Sequence, residues 1–594
     1  MVVKHNRIPV WLVLFSLVLP ATVGRAAGPN INRTDASPAP VAFAAGVVPH
    51  DPRAGSMIED FFRHLAQARP PQTIVLLSPD HFDATTMHES DPVTAGPDTH
   101  QIGGITIDTD LAHTLCSRTG VVPASAALAL DHGITGLLPY IRQYLPSARL
   151  VPVLLPHRLT LIQAARLSHV LHDVCNARTT IVASVDFSHY LPASVARFHD
   201  VMSRRVLLQG EDAQFPRLEV DSWQALHIAR TFARRRGYEA ARFLEYSCGS
   251  DYHAADACSD TTSHFSVLFS TSSVASERKE LPGTTLLCVG DIMLDRDVES
   301  LICRHSPLYP FRAVERFLDG VDVVFGNLEG PIVDESSPVS THPLLFSLRP
   351  EVVEGLRFGH FGLLSLANNH TFDCGRKGLA HTRACLRSRG ITPVGDPLRV
   401  GHESAVTTRY LVVAAFNTVP PGFTQVDRME GMVRSLRAAH PRRFLVVSMH
   451  WGTEYRRRSE PTQQDLARKL IDAGADLVVG HHPHVIEEVD SYRGRLIFYS
   501  LGNFVSDQYF STDTQRGLAL GVELSPHKIT YHLFPLAGGT SQPFLLVGNR
   551  RREFLQDLAA RSRPALAKQI KAGMIEMKRP ASTPDHEAKG EVSP

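Results

Sequence analysis

Short β-branched apolar runs, each closed by a polar cluster, recur along this chain and predict strands whose carboxyl ends carry the chemistry. In the second half they are 284–289 before Gly290-Asp291, 321–325 before Gly326-Asn327-Leu328-Glu329, and 362–367 before Asn368-Asn369-His370. Two more follow, 444–449 before His450-Trp451-Gly452 and 475–479 before Gly480-His481-His482-Pro483-His484. The first half repeats the pattern: 42–48 leads to Pro49-His50, 73–77 to Ser78-Pro79-Asp80-His81-Phe82, 150–155 to Pro156-His157, and 180–185 to Asp186-Phe187-Ser188-His189-Tyr190. Asp131-His132 opens a helical stretch that ends at Leu138-Pro139-Tyr140. Strands separated by helical segments predict mostly parallel sheets, where ligands bind outside the carboxyl ends of the strands. Residues 517–524 and 528–534 alternate like an antiparallel hairpin around Ser525-Pro526-His527, and 550–577 has a helical pattern. From Lys578 onward, proline, lysine and glutamate without apolar periodicity predict a disordered tail.

These patterns divide the chain into a leader (1–27), a Pro- and Asn-containing linker (28–40), an α/β domain (41–272), a polar junction (273–283), a second α/β domain (284–560) and a helical end with its tail (561–594). A length of 594 residues requires more than one core. The separate strand sets and the polar stretch 271–280 predict halves that fold independently. The leader has Lys4, His5 and Arg7, an apolar run from Ile8 to Val23, and small residues around Ala26-Ala27. It reads as a secretory signal that leaves a mature chain starting near Gly28, with an uncleaved membrane anchor as the alternative. Either way the protein is expected to be exported: periplasmic, extracellular or attached to the envelope.

Composition, with 43% hydrophobic and 20% charged residues, is that of a soluble globular protein. A net charge of +1 without a dominant basic face excludes a nucleic-acid footprint. Eight cysteines in an exported chain permit disulfides, although Cys288 sits in a predicted core strand. Oligomeric state leaves no signature in the sequence. Asp, Glu, Asn and several His arriving at one rim form a ligand set for a dinuclear divalent-metal centre. Arg456 to Arg458, close behind His450, either form a solvated face or meet an anionic substrate, and Trp451 is either a core ring or a substrate platform.

The second-half motifs, together with Asn368-Asn369-His370-Thr371-Phe372-Asp373 and Ser500-Leu501-Gly502-Asn503-Phe504, resemble the CapA (poly-γ-glutamate capsule biosynthesis) family of the calcineurin-like metallophosphoesterases. The resemblance covers 284–540 and implies an α/β sandwich. It makes Asp291, Glu329 (or Asn327 in its place), Asn369, His450, His482 and His484 ligands of two divalent ions (Mn, Fe or Zn), and His370 the group facing a substrate phosphate. One departure stands out: the superfamily pairs its first aspartate with a histidine two residues on, and here that position is Met293. The implied substrate is an anionic polymer or phosphoester. A non-catalytic export or polymer-binding scaffold is the competing class.

The first half is similar to the Memo family, which shares its α/β fold with extradiol-type dioxygenases. Val48-Pro49-His50, Ser78-Pro79-Asp80-His81-Phe82, Asp131-His132 and Asp186-Phe187-Ser188-His189-Tyr190 carry this resemblance over 41–272. It implies one transition metal on His50 and His81, with His132, Asp186 and His189 lining the cleft and Cys248 or Cys258 as a further ligand. Asp131 replaces the usual glutamate, and Thr135 stands where an acid is common. A metal-dependent redox activity in this half is a third functional class.

Overall fold

The computed structural model describes residues 42–82, 92–96, 98–249, 261–271, 283–334, 344–419 and 425–579. The leader, the 28–40 linker, nearly all of the junction, Cys258 and the tail beyond residue 579 lie outside the described residues. The predicted strands form, and four in the second half run on into the polar cluster that follows. His450 and His481 are thereby the last residues of strands, and the hydrogen-bonded ladder fixes their direction.

In the first half, β1 (Phe43–Val48), β2 (Thr73–Pro79), β3 (Arg149–Leu155) and β4 (Thr179–Ser184) are parallel neighbours in the order β1-β4-β2-β3. Two strands extend the sheet beyond β1, the antiparallel β5 (Ala240–Cys248) and β6 (Thr261–Ser270). Helices cover both faces, so the parallel strands are buried throughout and read as unbroken apolar runs.

The second half stacks two sheets. The first runs β10-β9-β8-β7-β15-β16, from β7 (Thr284–Ile292), β8 (Val323–Leu328), β9 (Phe361–Ser365) and β10 (Thr392–Val394) to the hairpin β15 (Arg516–Leu524) and β16 (Lys528–Gly539). The second holds β11 (Leu411–Asn417), β12 (Phe444–His450), β13 (Leu477–His481) and β14 (Arg495–Phe498), all parallel. Leu286, Phe325, Val413, Val446, Val479 and Leu520 pack between the sheets, and helices cover both outer faces. The predicted hairpin is confirmed. The expected helical end is corrected: Gly548–Arg561 and Ala567–Ala572 are helices, but Met574–Lys578 pairs antiparallel with β16, closing an edge that would otherwise be exposed.

Residues from 41 onward form one compact unit, in which the two halves expected to fold independently share buried contacts. Helix α1 (Ala193–Gln209) of the first half buries Val195 and Phe198 in the outer core of the second, with the Phe198 ring 5.6 Å from that of Phe534. The buried Arg205 guanidinium pairs with the buried carboxylate of Asp322 and donates to Tyr410 Oη at 3.0 Å. Arg217 Nη2 donates to the Val321 and Asp322 carbonyls at 2.7 and 2.8 Å. The polar junction gave no hint of this contact because the helix that makes it lies far upstream.

His199 of the same helix is fully buried, with Nε2 3.2 Å from the Phe317 carbonyl, and burial depresses its pKa to about 4 despite that bond. The unfolded imidazole titrates near 6.5, so its neutral burial supports folding above that pH and the support is lost as pH falls toward 4. At 1.36 kcal/mol per pH unit the loss is about 3 kcal/mol. The stability advantage of the wild type over His199→Gln is therefore expected to shrink between pH 7 and pH 4.5 in paired denaturant melts. A constant difference would reject a neutral buried His199.

Candidate metal centres

In the second half the carboxyl ends of β7, β8, β9, β12 and β13 converge. One donor atom from each of Asp291, Glu329 and His450 lies within 4.8 Å of the others, and all three residues are buried. His450 Nε2 is 2.6 Å from Asn369 Oδ1 and 3.7 Å from Glu329 Oε1. His484 Nδ1 is 3.6 Å from Asp291 Oδ2 and 3.9 Å from Glu329 Oε2, and the His482 ring centroid is 4.7 Å from that of His450. The structure thus brings together Asp291, Glu329, Asn369, His450, His482 and His484. Asn327 sits among them as a bracket: its Nδ2 donates to Asp291 Oδ1 at 2.9 Å, and its Oδ1 accepts from Asn368 at 3.1 Å. With both ends of that amide engaged, the geometry favours Glu329 over Asn327 as a metal donor.

Backbone shape follows from these demands. Gly480 is required because a Cβ there would meet the Tyr499 carbonyl at 1.7 Å and Trp451 Nε1 at 2.5 Å. His482 and His484 hold φ of 95° and 57°, a region that costs a non-glycine residue about 1–3 kcal/mol. Strain at two successive donors is sustained by the buried turn around them, including the His482 N–H bond to Asp291 Oδ2 at 3.1 Å.

The electrostatics calls for a cation. Burial, followed by the adjacent Asp291, pushes the Glu329 carboxyl well above its ordinary range. Burial also acts to raise Asp291, but His481, His484 and Asn327 outweigh it and hold that carboxyl low. His450 is driven well below its usual value by burial and the surrounding histidines, and His482 falls to about 4 for the same reasons. Glu329 Oε1, His482 Nδ1 and His481 Nε2 are buried without a hydrogen-bond partner. Neutral imidazoles and an unpaired carboxyl oxygen in a buried pocket suit a divalent metal.

His370 stands beside this cluster, with Nδ1 3.0 Å from Asp373 Oδ2 and its ring stacked 4.1 Å from that of Phe346. Asp373 also accepts the Phe346 N–H at 2.8 Å, which locks the pair and leaves Nε2 as the nitrogen available to a substrate. Met293 packs in the outer core, so the missing superfamily histidine is not replaced at that position by a side chain facing the cluster. Trp451 is a core ring. Arg457 pairs with Asp557, and Arg458 Nη1 donates to the Arg561 carbonyl, so these two arginines fasten the last long helix. Two donors were not singled out from sequence. His481 lies with Nδ1 3.3 Å from Asp291 Oδ1, and the exposed Glu454 groups with His482 and His484.

In the first half His50, His81 and His132 converge, with ring centroids 3.8 to 5.2 Å apart. Asp131, fully buried, accepts the His81 N–H and faces His81 Nδ1, each at 3.1 Å. Ser184 Oγ lies 3.1 Å from His50 Nδ1, which leaves His50 Nε2 facing Asp186 and Asp221 at 3.4 Å each. Carboxylates that orient imidazoles in this way are the usual outer support of a metal site. His132 and His50 are lowered by burial and by the adjacent His81, and His189 falls to about 4 through burial. His189 and Asp186 line the cleft. Cys248 is drawn elsewhere: it is buried in β5, with Sγ 3.5 Å from Thr261 Oγ1, and joins no metal-capable group among the described residues. Thr135 Oγ1 donates to the Asp131 carbonyl within its helix. Asp221, Asp51 and His264 complete two further acidic clusters that the sequence did not reveal.

Comparison with known proteins agrees with this division. Residues 285–508 match the family model of the bacterial capsule synthesis protein PGA_cap, and residues 36–252 match that of Memo-like proteins. The capsule biosynthesis protein CapA of Bacillus anthracis is 33% identical over 254 residues, covering 39% of this chain and 62% of that protein. The PGA biosynthesis protein CapA of Bacillus subtilis (strain 168) is 33% identical over 238 residues, covering 37% and 62%. A MEMO1 family protein of Caldivirga maquilingensis is 23% identical over 191 residues, covering 30% and 67%. The chain therefore spans less than two thirds of the length of either Bacillus relative.

Proposed function

We propose, from a chain that joins a Memo-like half to a PGA_cap half, that this is an exported metal-dependent protein of capsule or poly-γ-glutamate metabolism, acting on an anionic polymer or phosphoester. The convergence of Asp291, Glu329 and His450, with buried donor atoms left unpaired, is the observation that carries this reading. Asp291, Glu329, Asn369, His450, His482 and His484 would hold two divalent ions, Mn, Fe or Zn. Such ions would supply Lewis-acid polarisation of a phosphoryl oxygen and a nucleophile at neutral pH. His370, oriented by Asp373, would give its Nε2 proton to the leaving oxygen. The first half would hold one transition metal on His50, His81 and His132, with Asp186 behind them. No helix among the described residues is long and apolar enough to cross a membrane.

A non-catalytic export or binding role is the second reading, and Met293 favours it by removing one customary ligand. Metal analysis of the purified chain separates the possibilities together with turnover of a phosphomonoester and a phosphodiester. The expected result is about two divalent ions in the second half, a clear drop in His482→Ala, and metal-dependent turnover. A metal-loaded but inert protein would leave the binding role in place of catalysis, and an unchanged metal content in His482→Ala would remove His482 from the ligand set.

A further inference from the structure

The cleft of the first half is not built from the first half alone. A cavity of about 630 Å³ holds His50, His81 and His132, and its lining includes Arg316 from the short helix α2 (Glu315–Leu318) of the second half. The Arg316 guanidinium lies over the Tyr190 ring, 5.2 Å from its centroid. Its nearest carboxylate is Glu219, with Nη1 3.7 Å from Oε1, beyond hydrogen-bond reach. Glu219 cannot swing closer without loss, because its Oε2 accepts the His189 N–H at 3.0 Å. Tyr190 itself is held at a φ of 55°, a strained conformation for a tyrosine.

The cleft's other arginine is already committed. Arg53 Nε donates to Asp51 Oδ2 at 2.8 Å, and its Nη2 donates to the same oxygen at 2.5 Å. Arg316, 53% exposed at the cavity's edge and ion-paired with Glu219 at 3.7 Å, is thus the lining arginine without a hydrogen-bond acceptor among the described residues. A guanidinium with open donors beside an aromatic face recognises a carboxylate or phosphate through paired N–H bonds. We propose that the first-half cleft takes a small anionic ligand, bearing a carboxylate or a phosphate, whose charged group is held by Arg316 while the rest of the molecule reaches the three histidines. The second half would in this way supply a recognition residue to the first, and the inference is independent of whether the second-half centre is catalytic.

Calorimetric titration of the full chain with inorganic phosphate and, separately, glutarate tests this, in a His482→Ala background that weakens competing binding at the second-half centre. The parent should bind at least one probe, and Arg316→Ala should weaken that binding about tenfold or more, the loss expected for a charge-assisted pair. Arg316→Lys, which keeps the charge without the fork, should fall between the two. Stronger binding of phosphate than glutarate would assign a phosphoryl ligand, and the reverse a carboxylate. Arg316→Gln repeats the comparison should Arg316→Ala lower the melting temperature. Failure of the parent to bind either probe, or equal affinities in the parent and both neutral variants, would overturn the proposal.

Discussion

Residues 284–579, which keep the edge strand Met574–Lys578, should not reproduce the cooperative melting transition of the full chain when produced alone. Two groups lose their cover at once. Val195 and Phe198 of helix α1 are packed against Phe534 and its neighbours, and their removal exposes apolar surface worth about 2 kcal/mol for each large side chain. Asp322 is the costlier loss. Its carboxylate is fully buried, and its Oδ2 accepts from the Thr285 N–H at 2.9 Å and the Thr285 hydroxyl at 3.1 Å, while Arg205 neutralises it from the other half. Stripping one partner from a buried pair typically costs 3–5 kcal/mol, a large part of the roughly 5–15 kcal/mol that stabilises a domain. Arg205→Ala in the full chain isolates this term and should lower stability by about that 3–5 kcal/mol. A second half that melts alone within a few degrees of the parent would show that the interface is dispensable, as would an Arg205→Ala variant of unchanged stability.

Much of the scaffold was legible because the parallel strands are buried on both faces and so appear as continuous β-branched runs. Their polar terminations mark the rim, which is why the strand ends alone are enough to place Asp291, Asn369, His450 and His482 together. What escaped lies off those terminations. Strand β11 ends at Asn417 without a metal-capable cluster and so lacks the signature that marked its neighbours. Glu454 sits on a loop that turns back through Gly452 at a φ of 84° and Tyr455 at 65°, a path that depends on local backbone geometry rather than on apolar periodicity. Asp221 reaches His50 from far along the chain, and Arg316 reaches the first cleft from the opposite half. Contacts of such sequence separation are products of topology, and neither periodicity nor motif spacing encodes them.

His370→Ala should keep near-normal metal content and lose most phosphoester turnover, whereas Asp291→Ala should lose both. The two residues occupy different places in the same rim. Asp291 is buried in the donor cluster, 3.3 Å from His481 Nδ1 and 3.6 Å from His484 Nδ1, and it also accepts the Asn327 amide and the His482 N–H. Removing its carboxylate takes away a donor and frees the strained His482 turn, so metal affinity and local order should fall together. His370 is only partly buried, fastened by Asp373 and Phe346, and contributes no atom to the Asp291, Glu329 and His450 group. A proton donor acts mainly in the transition state, and its loss typically costs on the order of 10²–10⁴ in rate while the ground-state site persists. The split should appear as a fall in kcat for His370→Ala at unchanged metal stoichiometry, with the larger deficit for substrates whose leaving group is a poorly acidic alcohol. Equal turnover of good and poor leaving groups in the variant, or metal loss matching that of Asp291→Ala, would take His370 out of the proton-donor role.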